Sequence, residues 1–249
     1  MGKVAPIGVE RKVVISQSMY FPWVGLLEQM RVADVFVHYD DVQYARGFLN
    51  RVQVKTAQGS RWITVPLRDH HRSQKINEIS IDERSDWRSQ HRDVLRQAYF
   101  RSPFRDEMLA LVDRAFSQPA SSLADVSRSS MQVLAEYFGL SEGRDFISSD
   151  VLGIPGSSSQ RLCDIVFSLG GDVYVTGHGA RNYLDHALFA RAGIAVRYMQ
   201  YQCIPYPQQH GTFTPYVTAL DLVANCGREG VRVICSTTVD WKEFVNESH

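Results

Sequence analysis

The 249-residue chain predicts an α/β fold: an open, mostly parallel sheet flanked by helices, with a β-hairpin and a helical insertion. Three observations carry this expectation. Strand, loop, helix and strand patterns follow one another between Val13 and Tyr39. The same alternation returns between Ser157 and Tyr198. A block of helical periodicity, about 86–140, separates the two and is punctuated by Pro103 and Pro119.

Taken in order, Val13–Ile15 is a β-branched run that reads as a buried strand. Ser16 to Trp23 breaks it, and Pro22 suits the first turn of a helix, where a missing N–H costs nothing. Leu26, Leu27, Met30 and Ala33 continue a helical stripe, and Val35–Tyr39 is a second strand ending in Asp40-Asp41. Val52–Thr56 and Arg61–Val65, joined across Gly59, form a hairpin signal, and Ile76–Ile81 is expected to add a strand. Trp87–Tyr99, Arg105–Phe116 and Ser122–Phe138 read as three helices, and Asp145–Ser149 as a short strand. Ser157-Ser158-Ser159 precedes an amphipathic helix through Leu162, Ile165, Val166 and Leu169. Val173–Thr176 is a strand, Arg181–Ala192 a helix and Ala195–Tyr198 a strand, while 198–220 reads as loop. The βα alternation at both ends makes the sheet Rossmann-like. Residues 1–11 are read as a leader, 12–235 as one domain and 236–249 as a C-terminal tail.

Composition narrows the function. Lys+Arg and Asp+Glu both number 27, so the chain is neutral overall and duplex nucleic acid is disfavoured as a partner. Four cysteines without C-x-x-C spacing argue against a paired-cysteine zinc site and point to a reducing cytoplasm. No apolar run suits insertion into a membrane. Between Val42 and Lys75 lie seven basic residues, Arg46, Arg51, Lys55, Arg61, Arg68, Arg72 and Lys75, against Asp69 alone. If they converge, they suit an anionic small molecule; otherwise they are a solvated hairpin face.

In open α/β sheets ligands sit beyond the carboxyl ends of the strands. That rule selects the loops Ser16–Trp23, Asp40–Arg51 and Thr176–Asn182. The first offers Gln17, Tyr20 and Trp23 for substrate binding, beside a helix N-terminus that favours phosphate or carboxylate. In the second, adjacent strand residues face opposite ways, so at most one of Asp40 and Asp41 enters a cleft, as general base or orienting group. Gln43 and Asn50 add polar contacts, Arg51 can fork onto an anion, and Lys55 can assist as a point charge. In the third, Gly177 permits close backbone approach, His178 is a candidate general base, and Arg181 and Asn182 can hold an anion. No P-loop, G-x-G-x-x-G or G-x-S-x-G occurs. Cys163, on an apolar helix face, reads as a core thiol.

These segments together resemble the WbqC-like family. The matching pieces are Gln17 with Tyr20-Phe21-Pro22-Trp23 and Gly25, the run Ala33–Val37 with Asp40–Gln43, Asn50-Arg51 and Lys55-Thr56. Further on come Trp62–Pro66, His91, Tyr99, Asp172–Gly177, Asn182–Asp185, Asp221-Leu222 and Asn225–Gly227. The resemblance spans about 13–227. It departs at the first motif: the family reads like His-Gln-Pro, and here Ser16 and Ser18 replace the His and Pro. His178 also stands where the family has a small or proline-like residue. The resemblance implies an acyl- or aminoacyltransferase, glycyl transfer included, acting on the amine of a nucleotide-linked amino sugar in bacterial surface-polysaccharide (O-antigen) biosynthesis. On that reading Asp40, Asp41 or His178 is the base, and Gln17, Arg51 or Asn182 donates to the oxyanion. The co-reactant stays open between ATP with Mg²⁺ and an activated acyl donor, and a homodimer stays open as well. Two alternatives stand beside it: an ATP-dependent adenylate-forming ligase or nucleotidyltransferase, and a non-catalytic binding subunit.

Overall fold

The computed structural model describes residues 10–45, 47–71 and 73–246. Residues 1–9 of the expected leader, together with Arg46 and Arg72, lie outside them. Six strands form one sheet: β1 (Lys12–Ser16), β2 (Val35–His38), β5 (Asp145–Ser148), β6 (Val173–Thr176), β7 (Ala195–Gln200) and β8 (Thr237–Asp240). Their order is β5-β2-β1-β6-β7-β8. Every neighbouring pair is parallel except β7 with β8. The expected α/β class and mostly parallel sheet are thus present.

The parallel strands read as continuous apolar runs because helices cover both faces. Alternate residues feed different cores. Val14, Phe36 and Val175 join the larger cluster, with α1 (Val24–Val32), α3 (Arg105–Phe116), α4 (Leu123–Tyr137) and α7 (Ala219–Cys226). Val13, Ile15, Val35, Val37 and Tyr174 join the smaller one, with α5 (Ser158–Ser168) and α6 (His186–Arg191). Cys163 is buried there as a core thiol. β3 (Arg51–Thr56) and β4 (Gly59–Thr64) form a separate antiparallel hairpin, turned at Gly59 with φ +105°. Its Val52, Val54 and Ile63 pack into the larger core, next to α2 (Trp87–Ala98).

Four local expectations change. Ile76–Ile81 is not a strand: a 3-10 turn spans Ile76–Glu78, followed only by the isolated bridges Leu67–Ile81 and Ser80–Ser122. The three isoleucines at 76, 79 and 81 are all buried; the turn satisfies the spacing of three between Ile76 and Ile79 that a strand cannot, and extended chain the spacing of two to Ile81. The helix expected over Arg181–Ala192 splits into a 3-10 turn, His178–Asn182, and α6. Asp185 makes the break by capping α6, its carboxylate accepting from the Leu188 N–H at 3.1 Å. The 198–220 loop ends at Thr218, whose hydroxyl caps α7. Residues 237–246, read as tail, instead supply the antiparallel edge strand β8 and α8 (Trp241–Asn246). No helix among the described residues is long and apolar enough to cross a membrane.

Candidate functional site

The chain runs outward from β1 to β2 on one side and from β6 to β7 on the other. The strand order therefore reverses between β1 and β6. Loops leaving the two strands must diverge there, which opens a crevice at their carboxyl ends. A cleft of about 760 Å³ lies at this point. Ser16 and Gln17 line it from β1, Asp41, Val42 and Gln43 from β2, and Thr176, Gly177, Gly179 and Ala180 from β6. The three loops selected from sequence thus meet in one hollow. Its far wall is the start of α5: Gly156, Ser157, Ser158 and Arg161.

The charged centre is an ion pair. Arg161 Nη2 contacts Asp41 Oδ2, Ser149 Oγ donates to Asp41 Oδ1, and Arg161 Nε donates to the Ile154 carbonyl at 2.9 Å. The guanidinium also lies over the Tyr39 ring, 5.0 Å from its centroid. Burial pushes the Asp41 carboxyl up. The hydrogen bonds from Arg161 and Ser149, with the Arg161 charge, outweigh it and hold the carboxyl below the usual range. Floor and rim are uncharged. Gln29 reaches in from α1 and donates to the Tyr201 hydroxyl at 2.6 Å. A Cβ on Gly177 would lie 3.2 Å from that hydroxyl, so the strand end passes close over it.

Of the expected site residues, Gln17, Asp41, Gln43 and Gly177 line the cleft. The others lie elsewhere. Asp40 is fully buried on the opposite face, taking the Ser18 N–H and hydroxyl, both at 2.8 Å, and Arg128 Nε at 2.7 Å. Just past the end of β2 the two aspartates point to opposite sides, and Asp41 is the one in the cleft. Tyr20 is a core residue whose hydroxyl meets His91 Nδ1 at 2.9 Å. Trp23 folds back over Gly25, where a Cβ would come within 2.2 Å of its ring, and packs 5.0 Å from Tyr201. Asn50 ties the hairpin base, donating to the Val65 carbonyl and accepting from the Tyr44 hydroxyl, both at 3.0 Å. Arg51 is exposed, stacked 4.6 Å over Trp62. Lys55 donates to Gln208 Oε1, Gly211 O and Thr212 O. His178 spends Nε2 on the Met199 carbonyl at 2.7 Å, Arg181 lies over Phe244, and Asn182 is exposed.

The basic stretch does not converge on the cleft. Among the described residues Arg51, Lys55, Arg61, Arg68 and Lys75 are all absent from its lining. Its cation is Arg161, which the sequence reading passed over. The serine run at 157–159 was visible as a helix start, but nothing local ties it to Asp41.

A model of the WbqC-like protein family matches residues 17–233. The chain is similar to an uncharacterized protein of Mycobacterium tuberculosis, 33% identical over 223 residues, covering 88% of this chain and 95% of that one. No solved structure matches. The family match spans every lining residue from Gln17 to Tyr183, and with the extent of the relative it leads to one conclusion: the chain belongs to the WbqC-like protein family.

Proposed function

We propose that the chain is a cytoplasmic transferase that moves an acyl or aminoacyl group, glycyl among them, onto the amine of a nucleotide-linked amino sugar in bacterial surface-polysaccharide biosynthesis. The observation that carries this reading is the switch-point cleft, whose centre is the Asp41 carboxylate, paired with Arg161 and Ser149 and set among amide and hydroxyl side chains. A carboxylate kept below its ordinary range stays charged at neutral pH and accepts from an amine N–H. The amine nitrogen would attack the acyl carbonyl, the bond to the donor's leaving group would break, and the nitrogen proton would pass to that leaving group while Asp41 holds the amine in place. Gln17, which lines the cleft at the β1 end, would donate to the oxyanion.

The test is direct. The protein is incubated with UDP- or dTDP-amino sugars and either glycine with ATP or glycyl-tRNA, and the sugar is followed by mass spectrometry. A mass gain equal to the acyl group is expected; no product with any activated donor rejects the reading. The exposed start of α5 beside β1 and β6 favours one other reading, an ATP-dependent adenylate-forming enzyme. Pyrophosphate release from ATP with Mg²⁺, without sugar, would select it.

A further inference from the structure

We propose that this cleft reads the sugar half of its substrate: an amino-hexopyranose whose ring packs on Tyr183 and whose amine meets Asp41, with the phosphates left at the mouth. The inference rests on the transferase reading for what the site does, and on the lining alone for what it binds.

The lining is chemically lopsided. Gln17, Gln29, Gln43, Ser157, Ser158 and Thr176 bring amides and hydroxyls, groups that both donate and accept. Sugar hydroxyls do the same, so each can be satisfied from either direction. Charge points the same way. Among the described lining residues Arg161 is the one arginine or lysine, and it is paired with Asp41, whose two oxygens each accept one bond, from Arg161 and from Ser149, and can each accept a further N–H. A pyrophosphate drawn into the interior would leave water and meet no uncommitted cation, which is costly. At the mouth, beside the exposed Ser157 and Ser158, it stays hydrated.

Tyr183 supplies the remaining feature. It lines the cleft yet is 58% exposed, a large aromatic face left open. Its backbone is held: the N–H donates to the Ala180 carbonyl at 3.1 Å, and the carbonyl accepts from Ser159 Oγ at 3.3 Å. An anchored, open tyrosine beside polar groups suits the C–H face of a pyranose, apolar on one side and hydroxylated at its edge.

Isothermal titration tests this with UDP-glucosamine, UDP-glucose and UDP. UDP-glucosamine is expected to bind about tenfold or more tighter than UDP, and tighter than UDP-glucose, which has a hydroxyl in place of the amine. Asp41→Asn is expected to bring the two sugars within about twofold of each other. Tyr183→Ala is expected to weaken UDP-glucosamine about fivefold or more, and Tyr183→Phe to stay within about twofold of the parent. Tyr183 is exposed, so both variants should keep the parental melting temperature and remain interpretable even if Asp41→Asn folds poorly. UDP binding as tightly as UDP-glucosamine, or Tyr183→Ala binding like the parent, overturns the inference. Sugar binding of the expected kind without acyl transfer leaves it standing and removes the transferase reading. Transfer that ignores Tyr183 does the reverse.

Discussion

Ser18→Ala offers the sharpest test of how the β1 and β2 ends are held. Ser18 is fully buried, and its Oγ lies 2.8 Å from both Asp40 Oδ2 and His38 Nδ1. A carboxylate paired with Arg128 only accepts, so the hydroxyl donates to Asp40 and accepts from the His38 Nδ1–H. Alanine keeps the backbone bond to Asp40 Oδ1 and deletes both others. A hydrogen bond to a charged acceptor is worth about 1.5–3 kcal/mol, and a buried donor left unpaired costs about 1 kcal/mol or more. The expected loss is about 3 kcal/mol, or roughly 6–12 °C in melting temperature at this chain length. Thermal melts followed by circular dichroism read it. Ser16→Ala is the control: its hydroxyl makes one marginal contact, 3.5 Å to the Gln17 carbonyl, and should melt within about 2 °C of the parent. Ser18→Pro also removes the N–H and should cost more than alanine. A Ser18→Ala protein that melts with the parent would refute the account of this network.

Other expectations follow the same logic. Arg161→Met strands the partly buried Asp41 and should cost about 3–5 kcal/mol in urea denaturation, with Asp41→Asn added on top restoring part of it; equal losses in the single and double variants would contradict the pairing. Burial pulls His38 and His91 down to about 4 from an ordinary 6.5. Below pH 6.5 the unfolded chain takes up protons that the folded one refuses, so stability is full above 6.5 and falls as pH drops towards 4, by about 3 kcal/mol per histidine at most. A urea midpoint that is flat from pH 7 to pH 5 would argue against this. Asp41, held low, adds its own loss only as pH falls through and below the ordinary carboxylate range. Lys55→Met frees the Gln208, Gly211 and Thr212 oxygens and should speed limited proteolysis within 207–214 several-fold at unchanged pH; an unchanged cleavage rate would show that Lys55 does not hold that loop.

Local pattern was enough for the βα units, since three apolar residues in a row flanked by turn residues have few other uses. It was enough for the hairpin, and for α3, whose limits match the expected Arg105–Phe116. It was also enough to say that at most one of two neighbouring aspartates would face a cleft, because side-chain direction alternates along extended chain. The edge strand β8 escaped because four residues, Thr237–Asp240, carry no periodicity of their own; they are a strand only because β7 offers a free edge. Arg161 escaped for the same kind of reason. On paper it is one cation in an amphipathic helix, 120 residues from Asp41. Conversely Arg51, Lys55 and His178 had suitable chemistry in or beside the selected loops, but nearby rings and carbonyls claim them. Residue type and spacing act over a few neighbours and set which segments become strands and helices. Which aspartate meets which arginine depends on strand order across the sheet, and that is settled only when the whole core packs.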